Sequence, residues 1–345
     1  MGLDTGDSAE YTRALTDALG PVVRRSLDLP PAVPTFLSDD HTPVEFSLSF
    51  SPGTSPTLRF LFEPSSGFGT LAESSRLGLR ALHGLARRWG ISTEQLDLVQ
   101  DLFLPDAPQG DFALWAALEL APGGTPRMKA YLNPAASGPD RAGATVREAL
   151  RRLGHHRAYD SLPAADRLLF LALDLGDWDT PRLKVYTAHH RLRASAVGTL
   201  NRMDGGPAPA ETEAFLHTAT GLPPGRDGVF DRRPVLTCHS FTDQAADRPS
   251  GFTLHVPVRD YARDDREVLG RAETLLPRYG IAPEPLRAAL EALTPRRLED
   301  GVGLIAYLAM VHQQGKDPRL TAYLSSEAYR VRRPNERPTG PRPVR

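Results

Sequence analysis

Two short segments of this sequence carry two cations and a tyrosine at alternate positions: Arg127, Lys129, Tyr131 and Arg182, Lys184, Tyr186. A third, from Arg319, repeats the pattern with Arg319, Thr321 and Tyr323, and a fourth places Arg59 in the column of the lysines. Side chains two apart on a strand share a face, so each set points one way. The alternate positions (Met128, Ala130, Leu132, Leu183, Val185, Leu320, Ala322, Leu324) are apolar. One face must be buried against other elements, and the apolar one fits that role better than an outward, solvated reading of the charges requires. If the polar face is then enclosed, its cations call for an anion, because burying unpaired charge is very costly. Planar Arg beside point-charge Lys suits a phosphate or diphosphate. Tyrosine rings beside such a cluster offer electron-rich faces to a carbocation and keep water out. Together they suit heterolysis of an allylic diphosphate, with cations taking the leaving group and rings sheltering the allyl cation. A structural tyrosine ladder across neighbouring strands is the plain alternative.

An acceptor needs a further group. In PVEFSLSF, Glu45 alternates with Ser47 and Ser49 against Val44, Phe46 and Leu48, which puts it on the polar face. An inward carboxylate accepts a hydrogen bond from an N–H or O–H of an aromatic ring and raises the ring's electron density; a structural ion pair is the competing role.

The elements that must hold these groups repeat. Strand-like runs begin at Thr57, Arg127, Arg182, Gly251 and Arg319, and aligning them puts Arg59, Lys129, Lys184, Thr253 and Thr321 in one column. Leu61, Tyr131, Tyr186, His255 and Tyr323 follow two places on. Each run is preceded by another, from Pro43, Phe112, Leu168, Pro234 and Gly303, across turn formers such as SPGTSP, APGGTP, GDWDTP and QGKDP. Helical spacing fills the gaps, as in Tyr11, Leu15, Leu19 and in Leu286, Leu290, Leu293, with a short helix expected near Glu211–His217. Five helix-helix-strand-strand units give ten antiparallel strands, and closing them into a barrel removes both exposed edges. Two or three separate α+β domains are the other arrangement. The expected single domain spans residues 1–330, and the Pro- and Arg-rich stretch 331–345 has the composition of a disordered tail.

Composition excludes several classes. With 41 basic and 42 acidic residues the chain lacks the basic excess of a nucleic-acid binder. One cysteine, Cys238, allows no internal disulfide, and no apolar run approaches the roughly 20 residues of a membrane span, so a cytoplasmic protein is expected. The start MGLDTGDSAEYTRAL has no basic-then-apolar leader. Asp39-Asp40 and Asp264-Asp265 are isolated pairs, and His155-His156 and His189-His190 lack a second ligand set, so no metal is expected.

The fragments PVEFSLSF, RFLFEP, KAYLNP, RLKVYTAHH and TAYLSSEAY, in this order and spacing, resemble the dimethylallyltryptophan synthase family of aromatic prenyltransferases. The resemblance runs from about Pro43 to Tyr329. It implies an α+β prenyltransferase (ABBA) barrel of ten antiparallel strands and five αα-ββ repeats. It also implies metal-independent alkylation of an indole, as tryptophan or a small tryptophan-derived peptide, by dimethylallyl diphosphate as co-substrate. By position, Arg59, Lys129, Arg182 and Lys184 would bind diphosphate. Tyr131, Tyr186 and Tyr323 would shield the cation, and Glu45 would hold the indole N–H. Arg127 and Arg319 join the diphosphate set from the shared-face argument. Where relatives carry Gln and Tyr on the eighth strand this chain has Thr253 and His255. His255 would complete the shield, act as a base, or simply pack. Members that alkylate indole carbon 4 carry a Lys near the position of Trp115, which cannot be a base but can wall the acceptor pocket. A phenolic acceptor and a non-catalytic carrier of an isoprenoid diphosphate are the alternatives, and the chain would act as a monomer or homodimer on small molecules alone.

Overall fold

The computed structural model describes residues 5–64, 69–123, 125–177, 182–334 and 336. The GDWDTP and APGGTP turns therefore fall partly outside the described residues, and so does most of the stretch from Val331. Among the described residues there are twelve strands: β1 (Val44–Phe50), β2 (Thr57–Phe62), β3 (Leu114–Glu119), β4 (Arg127–Leu132), β5 (Arg167–Leu175), β6 (Leu183–His189), β7 (Leu192–Arg193), β8 (Val229–Phe230), β9 (Val235–Phe241), β10 (Gly251–Val256), β11 (Ile305–Gln313) and β12 (Lys316–Ser325). Ten of them close a barrel in the order β1-β12-β11-β10-β9-β6-β5-β4-β3-β2, and β7 and β8 pair separately. Every neighbouring pair in the barrel is antiparallel.

The helices lie outside: α1 (Thr5–Leu19), α2 (Leu71–Arg88), α3 (Glu94–Asp97), α4 (Gln100–Phe103), α5 (Ala142–Arg152), α6 (Pro209–Thr220), α7 (Asp265–Leu275) and α8 (Glu284–Leu293). The repeat is uneven, because the first, third and fourth hairpins are each preceded by one α-helix. The helix expected at Glu211–His217 extends to Thr220, where Gly221 takes the left-handed cap with φ 74°. Thr70 and Glu73 form a reciprocal cap at the start of α2.

Alternation along the strands sorts the side chains. Outward residues such as Phe62, Leu118, Met128, Leu173 and Val185 pack under α1, α2 and α5 in one apolar cluster. Phe50, Phe252, Leu254, Met310 and Leu324 pack under α6, α7 and α8 in another. The apolar core is thus a shell between barrel and helices, which leaves the lumen free to be polar.

The last hairpin differs from its sequence reading. Strand β12 begins at Lys316 instead of Arg319, with Gly315 (φ 71°) in the turn. Pro318 lies inside the strand at a register shift, since Val311 pairs with Arg319 and Gln313 with Lys316. An extra residue at that bulge tolerates a proline, which has no N–H to donate. The chain stays docked beyond residue 330: Arg332 accepts a hydrogen bond from the Val302 N–H and pairs with Asp260 at 3.0 Å.

Candidate active site

One end of the lumen is cationic. Register sets Arg59 opposite Glu119, Lys129 opposite Asp174 and Val311 opposite Arg319. Arg59 Nε lies 2.6 Å from Glu119, and Arg182 lies 2.7 Å from Asp174, which also pairs closely with Lys129. Burial opposes ionisation of Asp174, yet the fields of Lys129 and Arg182 outweigh it and hold the carboxyl below its usual range. The same balance, with burial opposed by Arg59 and Lys129, keeps Glu119 low. These two acids carry no share of the sequence reading, although alternation in FALWAALEL and LLFLALDL places both on the inward face.

Two carboxylates do not neutralise five inward cations. Among the described residues Lys184 has no ion-pair partner, and burial, with Arg182 and Arg319 nearby, pushes its ammonium down to about 8. Arg319 Nε is buried and, among the described residues, has no hydrogen-bond partner. Burial together with Arg59 and Arg182 pushes that guanidinium down to about 10. Such crowding is unfavourable until an anion arrives. Arg127 is different: its side chain is 72% exposed at the rim, 3.4 Å from Glu119.

Next to the cations runs a belt of rings. Tyr131 and Tyr186 have centroids 5.9 Å apart, Tyr186 and His255 5.7 Å, His255 and Tyr323 5.5 Å, and Tyr323 and Tyr307 6.3 Å. The first three contacts cross between non-adjacent strands, so those rings meet inside the barrel, whereas Tyr307 and Tyr323 are partners on neighbouring strands. Burial pushes the Tyr131 phenol up to about 12 and Tyr186 and Tyr323 well upward, so all three stay neutral. His255 Nε2 lies 3.1 Å from Tyr323 Oη. Burial and Lys184 push His255 down to about 3, so it is a neutral ring in the belt and a weak base. Thr253, in the adjacent column, is buried and uncharged, and the cation ring is interrupted there. Tyr307 extends the belt; its alternation with Ala309 and Val311 was the available sequence signal.

The opposite end carries Glu45 and Trp115. Glu45 pairs in register with Leu61 and Ser325 and is 7% exposed. Burial pushes its carboxyl up to about 7, with Arg259 opposing. Arg259 sits over the Tyr307 ring at 5.1 Å and 3.3 Å from Asp39, in a cluster with Arg233, Arg332 and Asp260. Trp115 stacks on Phe112 at 4.2 Å and tilts toward Phe170 at 5.1 Å, forming an apolar wall with Leu37 and Leu61. The structure thus brings together Arg59, Lys129, Arg182, Lys184 and Arg319 at one end. It sets Tyr131, Tyr186, Tyr323 and His255 in the middle and Glu45 and Trp115 beyond them, and leaves Arg127 at the rim.

Known proteins share this fold. The tryptophan dimethylallyltransferase family profile matches residues 10–287. The structure of prenyltransferase PriB in ternary complex with L-tryptophan and dimethylallyl thiolodiphosphate is 57% identical, with a TM-score of 0.93, and the match covers 99% of this chain and 95% of that one. The 5-dimethylallyl tryptophan synthase from Streptomyces coelicolor, in complex with DMASPP and Trp, is 57% identical with a TM-score of 0.92, over 97% and 93% of the two chains. The 6-dimethylallyltryptophan synthase from Micromonospora olivasterospora, with the same two ligands, is 43% identical with a TM-score of 0.89, over 95% and 94%. With this lumen and a family match across most of its length, the chain belongs to the tryptophan dimethylallyltransferases.

Proposed function

We propose that this enzyme transfers the dimethylallyl group of dimethylallyl diphosphate to a benzo-ring carbon of L-tryptophan, without a metal. The observation that carries the reading is a cationic surplus set directly against a belt of neutral rings, with one buried carboxylate, Glu45, beyond it. Arg59, Lys129, Arg182, Lys184 and Arg319 bind the diphosphate and stabilise it as the carbon–oxygen bond breaks and the oxygen keeps the electron pair. Tyr131, Tyr186, Tyr323 and His255 face the allyl cation, each ring worth about 0.5–2 kcal/mol of cation–π attraction. Glu45 accepts the indole N–H bond, orients the ring and feeds electron density to the attacking carbon. Trp115 occupies the acceptor wall, which supports carbon 5 or 6 over carbon 4 as the alkylated position; the relatives named for regiochemistry act at 5 and 6. Arg127 at the rim fits a role in drawing the donor in. We place the reaction in the cytoplasm, in keeping with the free, buried Cys238. The test is incubation with dimethylallyl diphosphate and L-tryptophan, with NMR assignment of the product. A 5- or 6-dimethylallyl tryptophan is expected; a product from tyrosine and none from tryptophan would overturn the reading.

A further inference from the structure

Alkylation of an arene leaves a ring cation that must lose a proton, and none of the groups already assigned suits that step. Glu119 and Asp174 are tied up in ion pairs at the diphosphate end. Asp39 and Asp260 are paired with Arg233, Arg259 and Arg332. Glu45 is assigned to the indole N–H. His255 is engaged with Tyr323 and is a weak base.

Among the described residues on the inward face, one further carboxylate beside the acceptor wall is left. Strand β2 turns Thr57, Arg59 and Leu61 inward, and the next residue of that series is Glu63, just past the strand end. Its backbone N–H still donates to Pro43 O at 3.0 Å, so the extended pairing with the start of β1 continues. The register of β2 with β3, Leu61 opposite Ala117 and Phe62 opposite Ala116, brings Glu63 level with Trp115 on the inward face. Trp115 Nε1 approaches the Glu63 carboxylate without reaching hydrogen-bond geometry, so Trp115 Nε1 and Glu63 Oε2 are both buried and, among the described residues, without a hydrogen-bond partner. A buried carboxylate oxygen without a donor is rare, and here it stands beside the aromatic wall of the acceptor pocket. Burial pushes the Glu63 carboxyl up to about 7, with Trp115 opposing, which suits proton transfer at neutral pH.

We propose that Glu63 is the base that restores aromaticity after alkylation. The new carbon–carbon bond uses a π pair of the indole. The carbon–hydrogen bond at that carbon then breaks, its electron pair returns to the ring, and the proton passes to Glu63 Oε2. The resulting carboxylic acid releases the proton to solvent before the next turnover. This inference rests on the indole-alkylation reading above.

The experiment compares the full-length enzyme with Glu63→Gln and Glu63→Asp, using tryptophan and ring-deuterated tryptophan. Glu63→Gln is expected to lower kcat by about 10²-fold and to leave donor and acceptor Kd within about threefold. It should also bring out a primary deuterium isotope effect on kcat that the unmodified enzyme lacks, because proton loss becomes rate-limiting. Glu63→Asp should recover part of kcat and reduce the isotope effect. A Glu63→Gln enzyme that turns over within about threefold of the unmodified one overturns the assignment, as does a loss of kcat with no isotope effect in either variant. Absence of prenylated tryptophan from the unmodified enzyme overturns the parent reading and this one together.

Discussion

Arg182 reaches across to Asp174 on β5 through two nitrogens, 2.9 Å from Nε and 2.7 Å from a terminal nitrogen. The guanidinium is therefore aimed before any ligand arrives, and Lys129 is held by the same carboxylate. Asp174 thus prepares an anion site that it only partly neutralises. Replacing it with Asn should destabilise the free enzyme by about 3 kcal/mol, since buried cations would lose their partner. Inorganic diphosphate should then raise the Tm of the Asp174→Asn protein by more than it raises the Tm of the unmodified one. Equal shifts in a thermal melt would count against this role.

Donor affinity should depend on pH through Lys184. Its ammonium is pushed down to about 8 in the free enzyme, and a bound diphosphate favours the protonated form. Binding therefore takes up a proton. The Lys184 share of the affinity should be full below about pH 8 and fall by up to about tenfold per pH unit above it, with Lys129, which burial pushes down to about 7, adding its own loss at lower pH. Calorimetry with a non-hydrolysable donor analogue checks this, and Lys184→Met should weaken binding and flatten that dependence.

Glu45→Gln should retain donor affinity while losing about 10²-fold in turnover, because the amide cannot feed charge into the indole. Donor titration and single-turnover kinetics on the same preparation separate the two effects. A passive carrier of isoprenoid diphosphate would show no change in either quantity.

Opening the aromatic belt should let water reach the cation. Tyr186→Ala removes the ring that links Tyr131 to His255. Diphosphate release should then exceed prenylated product, with dimethylallyl alcohol making up the difference. Tyr323→Phe keeps the ring and loses only the hydroxyl contact with His255, so it should stay coupled.

How much of this was legible in the sequence follows from what each feature depends on. Alternation depends on the strand alone, so the columns of Lys129, Lys184, Tyr131 and Tyr186, and the inward turn of Glu45, were readable. Partners across strands depend on register. Glu119 with Arg59 and Asp174 with Lys129 became visible only once β2, β3, β4 and β5 were paired. Arg127 shares a face with Lys129 but sits one step nearer the rim, a difference in depth that alternation does not contain. The Arg233 to Asp39 pair joins residues 194 apart, and nothing local to either announces it. Pro318 marked the last turn as a breaker, whereas a bulge carried the strand past it.

On the proposed reading, side-chain cations and no metal ion carry the leaving diphosphate. Turnover of dimethylallyl diphosphate and L-tryptophan in excess EDTA tests it most directly. Unchanged formation of prenylated tryptophan is the predicted result; loss of product in EDTA, with recovery on adding Mg²⁺, would contradict it.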